Sequence, residues 1–119
     1  MSIFATDGVA MTLHSALDGL SLRQRVIADN IANVDTPGFR ARSVEFEDSL
    51  RAALGAGTLT SGAPAATTST TSDPAGINGN NVDLGAQTMA QLQSVFQYQL
   101  LARASGDRYE MLRVAGGAF

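Results

Sequence analysis

The feature that most limits the fold is a helical stripe that runs into a proline-glycine turn. Apolar residues recur at Ala10, Leu13, Leu17, Leu20, Ile27, Ile31 and Val34, in steps of three and four with Gln24 filling the one gap. That spacing marks one face of an α-helix, narrow enough to be a coiled-coil seam. It predicts a helix over residues 9–34, about 40 Å long, capped by Thr6 or Asp7. Gly19 lies inside it at a cost of about 1 kcal/mol relative to alanine. Thr36 precedes a proline and is pushed out of the helical region, and Pro37 cannot continue the hydrogen-bond ladder. Pro37 and Gly38 suit the central positions of a type II turn, where proline presets φ and glycine supplies a positive φ. Phe39 then gives the redirected chain an apolar anchor. Asn30 and Asn33 stand three apart, within reach of the freed carbonyls or of the turn backbone.

Downstream, Ser43 is a candidate N-cap for a short helix over residues 44–54, with Glu45, Glu47 and Asp48 in its first turn and Gly55 closing it. Alternation at Val44-Glu45-Phe46 keeps a strand as the alternative. Residues 55–81 are rich in Thr, Ala and Gly, and burial cannot offset the entropy of ordering them, so a flexible linker is expected. Asn80, Asn81 and Asp83 are N-cap candidates for a last helix over residues 82–115, in which Gly106 is a candidate bend or break. The apolar residues of that helix cover much of its circumference, as in a helix packed on several sides. The expected architecture is therefore all-α and single-domain over residues 1–119. Long N- and C-terminal helices pair like a coiled coil, residues 1–8 form a flexible start, and the pair leaves apolar surface for neighbouring chains.

Composition narrows the chemistry. The net charge is −3 and all eight basic residues are arginines, with no basic patch to track nucleic acid. With no cysteine there is no thiolate zinc site, and with His14 as the single histidine, without a cysteine or second histidine to partner it, neither a triad nor a histidine metal cluster is expected within one chain. Lysine is absent, which removes a P-loop and a Schiff base. No catalytic, cofactor-binding or metal-binding residue is assigned, and an enzyme is not expected. The N-terminus has no basic n-region, and no apolar run reaches the length of a signal core or a membrane span.

Three segments resemble the axial proteins of the bacterial flagellum. They are residues 16–39, with Asn30-x-x-Asn33-x-x-Thr36-Pro37-Gly38-Phe39; residues 44–54; and Gly79-Asn-Asn-Val-Asp-Leu84 with the helix to Arg113. Within that family the proximal-rod members are favoured. The resemblance implies a structural rod subunit that self-assembles through its terminal helices into the tubular drive shaft and export channel. Leu13, Leu17, Leu20, Ile27 and Ile31 would form the packing seam, and Met89, Leu92, Phe96, Leu100 and Leu112 would meet it. It implies as partners further copies of the chain, the rod proteins FlgC and FlgF, the rod-base adaptor FliE and the flagellar type III export apparatus. Nucleic acid and small-molecule substrates are not implied. The implied location is the periplasmic rod of the basal body, reached without a cleaved signal peptide. The alternatives are another rod subunit such as FlgC or, outside the family, a helical adaptor or chaperone.

Overall fold

A computed structural model describes residues 3–57 and 66–117. Two long helices, α1 (Ile3–Ala32) and α3 (Leu84–Gly117), form a hairpin. Strand β1 (Arg42–Glu45) and helix α2 (Glu47–Ala56) lie along one side of α1, and strand β2 (Thr67–Thr70) lies against β1. The strands pair antiparallel, Arg42 opposite Thr70 and Glu45 opposite Thr67. Gln24 of α1 donates to the Ser94 carbonyl of α3 and Asn30 donates to Gln87, so α1 and α3 run antiparallel.

The element boundaries correct several expectations. Helix α1 begins at Ile3 instead of Val9, so residues 3–8 belong to it and the expected flexible start does not hold there; residues 1–2 lie outside the described residues. No proline interrupts this stretch, and the Thr12 hydroxyl donates to the Gly8 carbonyl at 2.7 Å. The helix stops at Ala32 because the ladder tightens: Val34 donates to Ile31, three residues back. Residues 42–45 take the strand alternative, with Val44 buried, Ser43 half-buried and Arg42 and Glu45 exposed. Helix α2 therefore starts at Glu47, not Ser43 or Val44, and closes at Gly57 (φ +69°), not Gly55.

The linker expectation fails for residues 66–81. Here backbone pairing with β1 supplies what burial could not, and Asn81 adds bonds to Thr71 and Asp73. Residues 58–65 lie outside the described residues. Helix α3 starts at Leu84, not Val82, and Asp83 alone of the three candidates caps it, accepting from the Ala86 amide at 3.1 Å. It runs unbroken through Gly106.

The buried apolar cluster is Ala16, Leu20, Val26, Val44, Phe46 and Leu50. It joins α1 to β1 and α2, with Leu101 of α3 packed against its edge. Gly19 makes this possible. A Cβ there would stand 2.5 Å from the Phe46 ring, so the residue that weakens the helix locally is the one that admits the aromatic. Arg23 lies over the other part of the ring, 4.8 Å from its centroid. The same guanidinium forms a bidentate pair with Glu47 at 2.6 and 2.9 Å and donates to the Val44 carbonyl.

The molecule is long and thin, 66 × 27 × 14 Å, with a radius of gyration of 18.1 Å. A compact chain of this length would have a radius near ~13.5 Å. Its accessible surface is 7928 Å², against about 6,100 Å² for a compact monomer of this mass.

Candidate functional site

Two features stand out, a clamp at the closed end of the hairpin and the outer face of α3. The clamp is built on the turn. Phe39 donates to the Thr36 carbonyl at 3.2 Å, and Gly38 sits at φ +73°, the type II geometry that Pro37-Gly38 prescribes. The Asn33 side chain bridges back to the Asp29 carbonyl and accepts the Thr36 hydroxyl.

Asn30 is fully buried and does something different. Its Oδ1 accepts the Arg42 N–H at 3.0 Å and its Nδ2 donates to the Arg42 carbonyl at 2.8 Å. One amide thus imitates a strand neighbour for the first residue of β1. Leaving those two backbone groups without a partner in a buried site would cost about 1–3 kcal/mol each.

The second half of the clamp comes from the loop before α3. Asn80 Nδ2 donates to the carbonyls of Asn33 and Thr36 at 2.8 and 2.7 Å, and its Oδ1 accepts the Val82 amide. Asn81 Oδ1 accepts the Ala41 amide at 2.6 Å. Asn78 accepts the Gly38 amide on its backbone carbonyl at 2.8 Å. Gly79 (φ +79°) lies so close that a Cβ on it would come 3.3 Å from Gly38 Cα. Two glycines therefore meet backbone to backbone, and four asparagines take up the polar groups around them. Asn80 and Asn81, expected as helix caps, are instead the bolts of this joint.

The packing residues divide. Leu20 and Ile27 are buried in the hairpin, and Leu13, Leu17 and Ile31 are half-buried along the same side of α1. Met89, Leu92 and Phe96 do not meet this seam; they are 67, 63 and 62% exposed. At about 100° per residue they fall, with Leu100, on the side of α3 opposite Ser94. The side turned to α1 carries half-buried Gln87, Gln91, Gln97 and Leu101 around the buried Ser94. The reason is polar matching: Gln24 and Asn30 of α1 point across and need partners, which an apolar α3 face would deny them. Leu112, half-exposed, borders a cleft with His14 and Leu17. Leu100 edges an apolar groove of about 460 Å³ with Leu20, Phe46, Leu50, Leu54 and Leu101.

Sequence reasoning missed the seat that Gly19 gives Phe46, the roles of Arg23 and Arg42, and the clamping role of Asn80 and Asn81. The signal for the asparagines was present as Asn78-Gly-Asn-Asn81, a cluster too polar for a helix start alone. Among the described residues, no group of three or more His, Asp or Glu could hold a metal ion, and no helix is long and apolar enough to cross a membrane.

A hairpin braced at its closed end, with its larger apolar surface turned outward, is the form of a subunit built to assemble. Comparison with known proteins finds similarity to one such class. Residues 11–40 match the family model described as flagella basal body rod protein. The chain is 63% identical over 41 residues to the flagellar basal body rod protein FlgB of Borrelia hermsii, covering 34% of this chain and 30% of that protein. It is 42% identical over 50 residues to FlgB of Bacillus subtilis, covering 42% and 37%. Along most of its length, 83% of this chain and 86% of the relative, it is 29% identical to FlgB of Escherichia coli. The matches to the Borrelia and Bacillus proteins thus span about a third of those relatives. The chain is thus similar to flagellar basal-body rod proteins, over residues 11–40 to the family model and along most of its length to the Escherichia coli protein.

Proposed function

We propose that this chain is a structural subunit of the bacterial flagellar basal-body rod, of the FlgB kind, that assembles through its long helices. The observation that carries this is the outward apolar face of α3, Met89, Leu92, Phe96 and Leu100, which its own hairpin leaves uncovered. The accessible area, 7928 Å², exceeds that of a compact monomer by about 1,800 Å², more than the ~800 Å² that each partner buries in a standard interface. Neighbouring copies and other axial proteins cover it in the rod, with FlgC, FlgF and the adaptor FliE as the partners that the resemblance implies. The clamp sets the angle at which the chain leaves α1, and so fixes where the segment after the turn is placed relative to the next subunit. Delivery is through the type III export apparatus, without a cleaved signal peptide, to the periplasmic part of the basal body.

Mass spectrometry of purified hook–basal bodies from the source organism tests the reading. Peptides of this chain at a few copies per particle, far below hook protein, are expected; their absence from intact particles overturns it. The clamp's role is tested by Gly38→Val, which places a β-branched residue at positive φ. Export should persist while rod assembly and motility are lost, and normal motility would remove the clamp from the mechanism.

A further inference from the structure

We infer that Asn78 is a site of spontaneous deamidation whose rate is set by whether the clamp is closed. Asn78-Gly79 is the one Asn-Gly pair in the chain. Asparagine followed by glycine is the most labile dipeptide for this reaction, because no Cβ obstructs the approach of the following backbone nitrogen. The Gly79 nitrogen gives up its proton and attacks Cγ of Asn78. The bond from Cγ to the side-chain nitrogen breaks, ammonia leaves, and a five-membered succinimide remains. Water then opens either of its carbonyls to give aspartate or isoaspartate. The sum is amide plus water to acid plus ammonia, with no oxidant or cofactor.

The structure explains why so labile a pair stands here. Gly79 must be glycine, since it holds φ +79° and presses against Gly38. Asn78 Oδ1 accepts the Asn80 amide at 3.2 Å, a bond within the turn that an aliphatic side chain could not make. The same contacts hold the reaction off. The Gly79 N–H donates to the Gly76 carbonyl at 2.9 Å, and the Asn78 carbonyl is held by the Gly38 amide at 2.8 Å. The nucleophile is therefore engaged, and its peptide cannot rotate toward Cγ. Reaction requires local opening, so its rate follows the population of the open loop. Isoaspartate would carry the backbone through Cβ and Cγ of residue 78 and turn the carbonyl that receives the Gly38 amide into a pendant carboxylate, so the joint could not close again in register.

The test is peptide mapping of the purified full-length chain during incubation at mildly alkaline pH, with isoaspartate separated from aspartate. Conversion at Asn78 should be on the order of tenfold or more faster in denaturing urea than in buffer. The Asn80→Ala variant, which loses the bonds to Asn33 and Thr36, should react faster than wild type in buffer. If that variant does not fold, the wild-type rate followed through a urea series must rise with the unfolded fraction. Equal rates in folded and unfolded chain overturn the protective role of the clamp. Absence of conversion in both overturns the site.

Discussion

The two sides of α1 are packed by opposite rules. Toward β1 and α2 it presents Ala16, Gly19 and Val26 to Val44, Phe46 and Leu50, with one ring seated on bare glycine backbone. Toward α3 it presents Gln24 and Asn30 to Gln87 and Ser94, while the large apolar residues of α3 face away. The first side is a small core of the ordinary kind, close-packed and intolerant of volume change. The second is a polar seam, with Asn30 and Ser94 buried in it. A chain that spends its apolar residues outward holds its own hairpin loosely and keeps its strongest surface for another molecule.

The difference can be broken at its strongest point first. Phe46→Ala empties the seat on Gly19 and should cost about 3–5 kcal/mol, read as a fall in the urea midpoint; no loss would mean that this core does not hold α2. Asn30→Ala strips the Arg42 backbone of both partners and should cost about 2–3 kcal/mol. Hydrogen exchange should then quicken at the Arg42 amide before it does in α3. Gly19→Ala gains helix propensity but drives a methyl into the Phe46 ring. The net should be a loss of about 1–2 kcal/mol, and a stabilised variant would show that the ring moves freely.

The smaller effects sharpen the contrast. Arg23 holds the Glu47 carboxyl below its usual range, chiefly through the paired hydrogen bonds, against a desolvation effect that raises it. Because the folded value is depressed, the contribution of the pair is full above the ordinary carboxylate pKa and fades as pH falls through the folded one. Glu47 is half-exposed, so the gap between wild type and Glu47→Gln should be under about 1 kcal/mol at neutral pH and should close on acidification. On the other side, the Ser94 hydroxyl is buried with no hydrogen-bond partner. Ser94→Ala should be neutral or should stabilise by up to about 1 kcal/mol, opposite in sign to any change in the first core. Phe96→Asp, on the outer face, should leave the monomer within about 0.5 kcal/mol of wild type and yet abolish rod assembly.

Much of this was legible in the chain itself. The stripe of α1 and the turn at Pro37-Gly38 follow from side-chain period and from the fixed φ of proline, which are local constraints. The outward spill of apolar residues on α3 was legible as a surplus with no single face, though not as a direction. What failed was non-local. Residues 42–45 became a strand because Thr67–Thr70 lies beside them, and their own alternation could only hint at it. Residues 66–81, poor in anything to bury, were ordered by backbone pairing and by Asn81.

The sequence by itself determined where the helices run, where the first one must end, and that the chain carries more apolar surface than one hairpin can hide. These rest on backbone sterics and on periodicity, which act within a few residues. Only the tertiary structure decided that Gly19 is a seat for Phe46, that Asn30 stands in for a strand, and that Asn80 and Asn81 bolt the turn instead of capping a helix. Each of those roles joins residues 12 to 47 positions apart. A hydrogen-bonding side chain or a missing Cβ acquires such a role only from the group brought against it.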